Sequence, residues 1–486
     1  MSDTTATTKV GRAPEGSAEH KKESRRALVS SFLGSTVEYY DFLLYGAAAG
    51  IVFPPLFFSE LDPAMGTFLS YVILFTGYIS RPIGGLLFGH FGDRFGRKNM
   101  LFITLMVMGI VSIGIGLLPT YGAIGVAAPL TLVFLRITQG FAVGGEWAGA
   151  TLMAMEHSTK KSRGFGASIA VTGGPTGAVL STLMLGLFAT LPDEQFFSWG
   201  WRVPFLLSAV IVLIGLYLRL RVTESPDFEE AKHHGFTERA TPLKQMFTKY
   251  PKEVITGSLA GAAPLAVQAL LMVVMVPYVV QASEGAITRD SALFMLTVSS
   301  VLHIFTIPFF AWVSDKVGRK PVMLAGALFS MIAIWPMFLM FSSGKPILVG
   351  MAFILGNPII QASMYGPIGA FLSEKFETNA RYTGSSLTFQ MGSVLGAGLI
   401  PLVANRFLQS GDVYNTDGIW SVGIYLVILF AISGAAVAFS KETHPRLARE
   451  GPCAANSMPV SGGGRILSAA AASRLRLTWQ HVDSYG

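Results

Sequence analysis

Twelve stretches of this 486-residue chain are apolar over the length of a bilayer, and no other feature limits its fold as much. A helix needs about 20 predominantly apolar residues to cross a hydrocarbon core. The runs lie at 28–53, 67–91, 99–118, 127–154, 164–190, 201–219, 254–281, 291–313, 321–342, 346–372, 384–408 and 418–439. Without water, backbone polar groups must pair within their own segment, so each run reads as an α-helix. Only 13% of the residues are charged, against about 25% in a soluble protein. The expected fold class is therefore all-α integral membrane, with a lipid bilayer as the main solvent. The single cysteine, Cys453, excludes a disulfide framework or a cysteine-based metal cluster.

Lysine and arginine in the loops orient such a chain. With the N-terminus inside, the cytoplasmic loops and tails collect 30 of these residues and the opposite loops four, Arg202, Arg289, Lys345 and Arg406. Both termini are thus expected on the cytoplasmic side of a multi-pass cell (inner or plasma) membrane protein. The net charge of +7 is spread through short loops, which does not make the basic stripe that nucleic acid requires. Residues 1–27 are polar, without a secretory signal's apolar core, and read as a disordered cytoplasmic tail. The remaining divisions are a six-helix unit over 28–219, a charged linker over 220–253, a second six-helix unit over 254–440 and a disordered tail over 441–486.

The two units are related. "FGHFGDRFGRK" at 88–98 returns as "FAWVSDKVGRK" at 310–320, so Asp93, Gly96, Arg97 and Lys98 recur as Asp315, Gly318, Arg319 and Lys320, 222 positions on. Glu156 and Arg163 recur as Glu374 and Arg381, 218 positions on. Both pairs occupy matching places between spans, which makes a duplication of six helices. Parallel halves with a substrate site between them at mid-depth are one of the transporter architectures.

Several stretches resemble the major facilitator superfamily: "GHFGDRFGRK" with its echo, "RITQG" in span 4 and "ESPDF" after span 6. Within it, "EYYDFLLYG", "RITQGFAVGGEWAGA", "SWGWRVPF", "MYGP" and "RYTG" are similar to the metabolite:proton symporter family over about residues 25–445. The resemblance implies two pseudo-symmetric six-helix bundles. It also implies proton-driven uptake of a small polar metabolite, since that family carries shikimate, α-ketoglutarate, citrate and betaines. Relatives that sense osmotic pressure end in a coiled coil, and the heptads for one are missing here.

Ionisable residues inside a membrane are costly and usually functional. Six lie away from the span ends: Glu38, Asp41, Arg81, Arg136, Glu146 and His303. Glu38 and Asp41 are three apart on one helical face, close enough to share and hold a proton, or to pair with a neighbouring arginine. Arg81 is twelve residues before Asp93, about 18 Å inside the membrane face, with a planar fork suited to a carboxylate. The resemblance implies that it recognises an anion; the alternative is an ion pair with span 1. His303 is the second-half twin of Arg81, fit for a proton relay or a polar helix contact. Arg136 and Glu146, about 15 Å apart along span 4, cannot pair with each other, and neither has a charged twin. That asymmetry favours proton coupling. Tyr39, Tyr45, Trp147, Gln361, Tyr365 and Gln390 are candidates for the cavity walls. Asp93, Arg94, Arg97, Glu156 and Arg163, with Asp315, Arg319, Glu374 and Arg381, read as ion pairs that latch the cytoplasmic side shut.

No GxxxxGK[ST] loop and no metal-spaced His/Cys cluster occurs in the chain, so neither ATP-driven transport nor a cofactor is expected. No nucleophile–base pattern points to an enzyme. The reading is symport of protons with a small organic acid anion, shikimate-like or dicarboxylate-like, by a chain that functions as a monomer. Uptake of a proline- or betaine-type zwitterion is the near alternative. A drug/proton antiporter and a sensor that does not transport are more distant.

Overall fold

The computed structural model of the chain describes residues 17–233, 242–410, 413–414 and 416–444. Most of the expected N-terminal tail, residues 234–241 of the linker and the tail from 445 lie outside the described residues. Twelve long helices follow one another: α1 (Ala18–Ile51), α2 (Pro63–Phe95), α3 (Arg97–Leu117), α4 (Ala127–Glu156), α5 (Arg163–Ala189) and α6 (Arg202–Leu220). The second set is α7 (Pro251–Ala282), α8 (Arg289–Val317), α9 (Arg319–Phe341), α10 (Pro346–Ser373), α11 (Arg381–Leu408) and α12 (Ile419–Phe439). Eleven are long and apolar enough to span by composition alone; the other is α1, diluted by Glu38, Asp41 and its serines.

Local chemistry sets the helix ends. Ser17 caps α1, its Oγ accepting from the His20 N–H at 3.1 Å, and the helix runs unbroken from residue 18. Residues 18–27 are therefore helical where the sequence suggested disorder, because a good cap precedes strong helix formers. Gly96 and Gly318, the repeated glycines, stand at φ 109° and 105°, a backbone that side chains resist, and turn α2 into α3 and α8 into α9. Proline opens α7 and α10 at a position whose missing N–H costs no bond.

The first six helices pack as one bundle and the last six as another. Their faces meet along α2 with α11 and α5 with α8, pairs exchanged by the repeat. Gly89 of α2 lets α11 come so close that a Cβ there would meet the Thr383 backbone at 2.6 Å. In the second half α7, α10 and α11 each loosen into a π-helical segment (Leu270–Val274, Leu355–Gln361, Val394–Gly398). Such segments gather at functional sites. Outward faces carry large apolar residues such as Phe305, Ile332 and Phe439, as lipid contact requires.

Candidate functional site

Between the halves a cleft of about 420 Å³ reaches the first residue of α8, Arg289, and is walled by α1 and α5 on one side and α7 and α8 on the other. Beneath it lies a smaller chamber of about 50 Å³, sharing Leu43, Gly46, Met272 and Val273 with the cleft. The chamber is lined by Tyr39, Phe42, Tyr78 and Arg81 from the first half and by Gln268, Phe389 and Ser393 from the second. Arg81 is the cation in its wall. Its guanidinium carbon sits 4.0 Å from the Phe42 ring centroid and 4.7 Å from that of Tyr78. Its Nε has no partner, and no carboxylate lies within ion-pair distance among the described residues.

Below the chamber the halves touch. Trp147 stacks on Phe389 at 3.5 Å between centroids, and the Tyr39 and Tyr365 hydroxyls meet at 3.0 Å. Gln390 donates to the Val143 and Gly144 carbonyls at 3.4 and 3.3 Å, and the Tyr382 hydroxyl donates to Gly145 O at 2.7 Å. These contacts close the path on the side of the repeated motif, called here the motif face.

At that face each repeated aspartate reaches across to the other half and caps a helix there. Asp93 accepts from the Tyr382 and Thr383 N–H groups at 3.1 and 2.9 Å and from the Thr383 hydroxyl at 2.9 Å. Asp315 accepts from the Gly164 and Phe165 N–H groups at 2.9 and 2.8 Å. The recipients are themselves 218 positions apart. The expected latch thus needs correcting: Asp93 makes no ion pair among the described residues, and Arg97–Glu156 and Arg319–Glu374 join helices within one half. One ion pair does cross, Arg381 with Glu156 at 2.7 Å. Arg163 instead pairs at 2.8 Å with Asp227 on the short helix Pro226–His233, which also holds Arg381 at 3.2 Å. Arg94 is exposed, lies over Phe95 and takes no part.

A third repeat pair escaped the sequence reading. Glu224 receives the Lys98 N–H at 3.2 Å, and Glu442 receives those of Arg319 and Lys320 at 3.1 Å, each capping the helix after a motif glycine. Burial pushes the Glu224 carboxyl up, against the N–H groups it accepts. Its 218-residue offset to Glu442 was the available signal.

The carboxylates of α1 do not share Arg81. Glu38 turns toward Arg81 and the Glu146–Arg219 pair, whereas Asp41 turns toward Arg136, Ser112 and Ser208 inside the first half. The Ser112 and Ser208 hydroxyls stand beside the Asp41 carboxyl, whereas Glu38 Oε2 has no hydrogen-bond partner. Arg136 donates to Gln139 at 2.6 Å and lies over Phe42 at 4.2 Å and Tyr45 at 4.1 Å. Phe42 is therefore shared by Arg81 and Arg136. Glu146 is bound to Arg219 of α6 and to Thr104 at 2.7 Å, so it is paired where the sequence showed it alone. Arg219 was missed because it stands at a helix end, in the loop count, yet folds inward and is buried.

Of the expected cavity residues, Tyr39 and Arg81 line the chamber, and Trp147, Tyr365 and Gln390 form the closure beneath it. Tyr45 is packed in the first half against Phe53 and Arg136, away from the chamber. His303 and Gln361 face each other inside the second half, in neither cavity wall, because α8 turns that position toward α10. Tyr78, Phe42, Gln268 and Ser393 were not foreseen, being of types that are as often plain packing.

Residues 27–446 match the family model described as "Sugar (and other) transporter". The chain belongs to this family of the major facilitator superfamily. It is similar to the inner membrane metabolite transport protein YhjE of Escherichia coli strain K12, 36% identical over 86% of this chain and 94% of that one. The shikimate transporter of the same strain is 35% identical over 90% and 99%. The proline/betaine transporter of that strain is 30% identical over 87% and 84%. Among solved structures the major facilitator proton:xylose symporter XylE, bound to 6-bromo-6-deoxy-D-glucose, aligns with a TM-score of 0.67 at 18% identity, covering 87% of this chain and 97% of that one. That likeness establishes the fold. The protein is a multi-pass inner-membrane metabolite transporter, not an enzyme.

Proposed function

We propose that the chain is a proton-coupled symporter that takes up a small organic acid anion by alternating access. The observation that carries this reading is Arg81: an arginine in the wall of the chamber between the halves, without a carboxylate partner, next to a buried carboxyl group. A guanidinium there matches a substrate carboxylate in a fork no ammonium reproduces. Glu38 beside Arg81 and Asp41 beside Arg136 are positions that a proton can occupy and leave, so substrate and proton meet the same charges. The similarity to a shikimate transporter supports an anion. The aromatic walls of Tyr39, Phe42, Tyr78 and Phe389 support the second reading, a zwitterion held by its cation, as does the proline/betaine relative. On either reading the motif face is cytoplasmic, supported by the lysine and arginine asymmetry, and the monomer suffices because both walls come from one chain.

Uptake into proteoliposomes separates the readings. The panel is radiolabelled shikimate, 2-oxoglutarate, citrate and glycine betaine, driven by an inward proton gradient. An acid should accumulate and a protonophore should abolish the accumulation. Arg81→Lys should weaken its affinity roughly tenfold, the loss of one charged hydrogen-bond partner. Accumulation of betaine alone, or an Arg81→Lys affinity equal to wild type, would defeat the anion reading.

A further inference from the structure

Three buried polar atoms on one stripe of α1 lack partners. They are Ser31 Oγ, Ser35 Oγ and Glu38 Oε2, at spacings of four and three, hence one above the other on the helix. Serines and threonines in helices usually turn their hydroxyls onto their own carbonyls. Thr36 does so with Phe32 O at 2.8 Å and Ser70 with Gly66 O at 2.9 Å; Ser31 and Ser35 do not. At the motif-face end of the stripe a cavity of about 10 Å³ is lined by Ser30, Ser31, Lys98 and Arg219, the volume of a single water position. Gly34 supplies the flank: a Cβ there would come within 2.7 Å of Glu146 Oε1, so only glycine lets the Glu146–Arg219 pair lie against α1. The charged groups around Glu38 are Arg81 from α2, Glu146 from α4 and Arg219 from α6.

We propose that Glu38 exchanges its proton with the motif face along α1, through Ser35, Ser31 and this small cavity. The proton thereby has a path of its own, separate from the substrate's path between the halves. The inference rests on the proton-coupled reading above. The step is a relay. The Glu38 carboxyl O–H bond breaks, and its proton passes to a bridging water or the Ser35 oxygen. Each hydroxyl hands on its own proton as it accepts one, leaving a carboxylate at Glu38 and a proton in bulk water. The cavity wall includes Ser31 but neither Ser35 nor Glu38, one and two turns deeper. The relay is therefore interrupted while the motif face is closed, and a shift of α1 against α4 and α6 on opening would join it. That interruption prevents a proton leak when no substrate moves.

The test compares two transport modes in proteoliposomes, using the panel acid that the wild-type chain accumulates. Counterflow exchanges labelled for unlabelled substrate without net proton release; gradient-driven uptake needs the proton to leave on every cycle. Ser31→Ala/Ser35→Ala and Ser31→Val/Ser35→Val should keep counterflow near wild type. Their proton-driven uptake should slow about tenfold, the effect of losing two hydrogen-bonded relay positions. The valine pair, which also fills the space for water, should be the slower of the two. Unchanged proton-driven uptake in both double variants would overturn the route, and so would a parallel loss of both modes, which marks the serines as structural. Wild-type uptake indifferent to the proton gradient would instead remove the coupled reading beneath it.

Discussion

Lys375 shows how an individual charge is held in this fold. It follows α10 at the motif face, its ammonium donating to Ser440 Oγ at 2.7 Å and lying 4.4 Å from the Phe371 ring centroid. Burial, opposed by Glu253, holds it down at about 8 from the usual 10.5. Between those values the unfolded chain binds the proton that the folded chain has released, so stability rises with pH across that window and is lowest below it. Lys375→Met, which keeps the stem and removes the charge, should raise the unfolding temperature in detergent near pH 7 and flatten its rise between about pH 8 and 10. A Lys375→Met curve parallel to wild type would show that the charge is not held this way. Residue by residue, the sequence disclosed which charges lie in the membrane and not whom they meet. Glu38 and Asp41 share a helical face, but 60° separates positions three apart, enough to send one to Arg81 and the other to Arg136. Arg219 could not be told from a loop cation, because that depends on which way its long side chain folds.

At the scale of elements, the sequence motif acts on helix ends. A carboxylate at an N-terminus satisfies orphan N–H groups and meets the positive end of the helix dipole. Asp93 does this for α11 and Asp315 for α5, and each aspartate belongs to the half opposite its helix. The motif was legible because it is repeated. Its mode of action was not, since the partners are backbone N–H groups that carry no sequence signature. Asp93→Asn keeps the shape and removes the charge, costing about 1 kcal/mol of the closed arrangement at one of its two caps. Transport should slow strongly while substrate affinity stays within about threefold, because the chamber wall is untouched and only the balance between open and closed motif faces moves. Spin-label distances between the tips of α2 and α11 should shift toward the longer population. Loss of substrate binding by a folded Asp93→Asn protein would place Asp93 in the site instead.

For the whole molecule, the duplication sets the architecture and its breaks mark the function. The matched aspartates tie the two halves together at the motif face, where symmetry lets either half move against the other, while the matched Arg97–Glu156 and Arg319–Glu374 pairs and the motif glycines brace each half within itself. In mid-membrane the matching ends: Arg81 lines the chamber while its twin His303 is buried within the second half, and Arg136 and Glu146 have no charged twins. On the proposed function, a chamber with charge on one wall and amide and hydroxyl on the other would hold an asymmetric substrate in one orientation. The cleft above it opens away from the motif face, so sidedness follows once that face is assigned. With Cys453 replaced by serine, Lys160→Cys at the motif face should react with an impermeant maleimide only from the cytoplasm. Gln281→Cys in the cleft should react only from outside, and more slowly when saturating substrate closes the cleft. Labelling of Lys160→Cys from outside would invert the topology and turn the proposed uptake into export. Equal labelling of Gln281→Cys with and without substrate would mean that the cleft is not the way in.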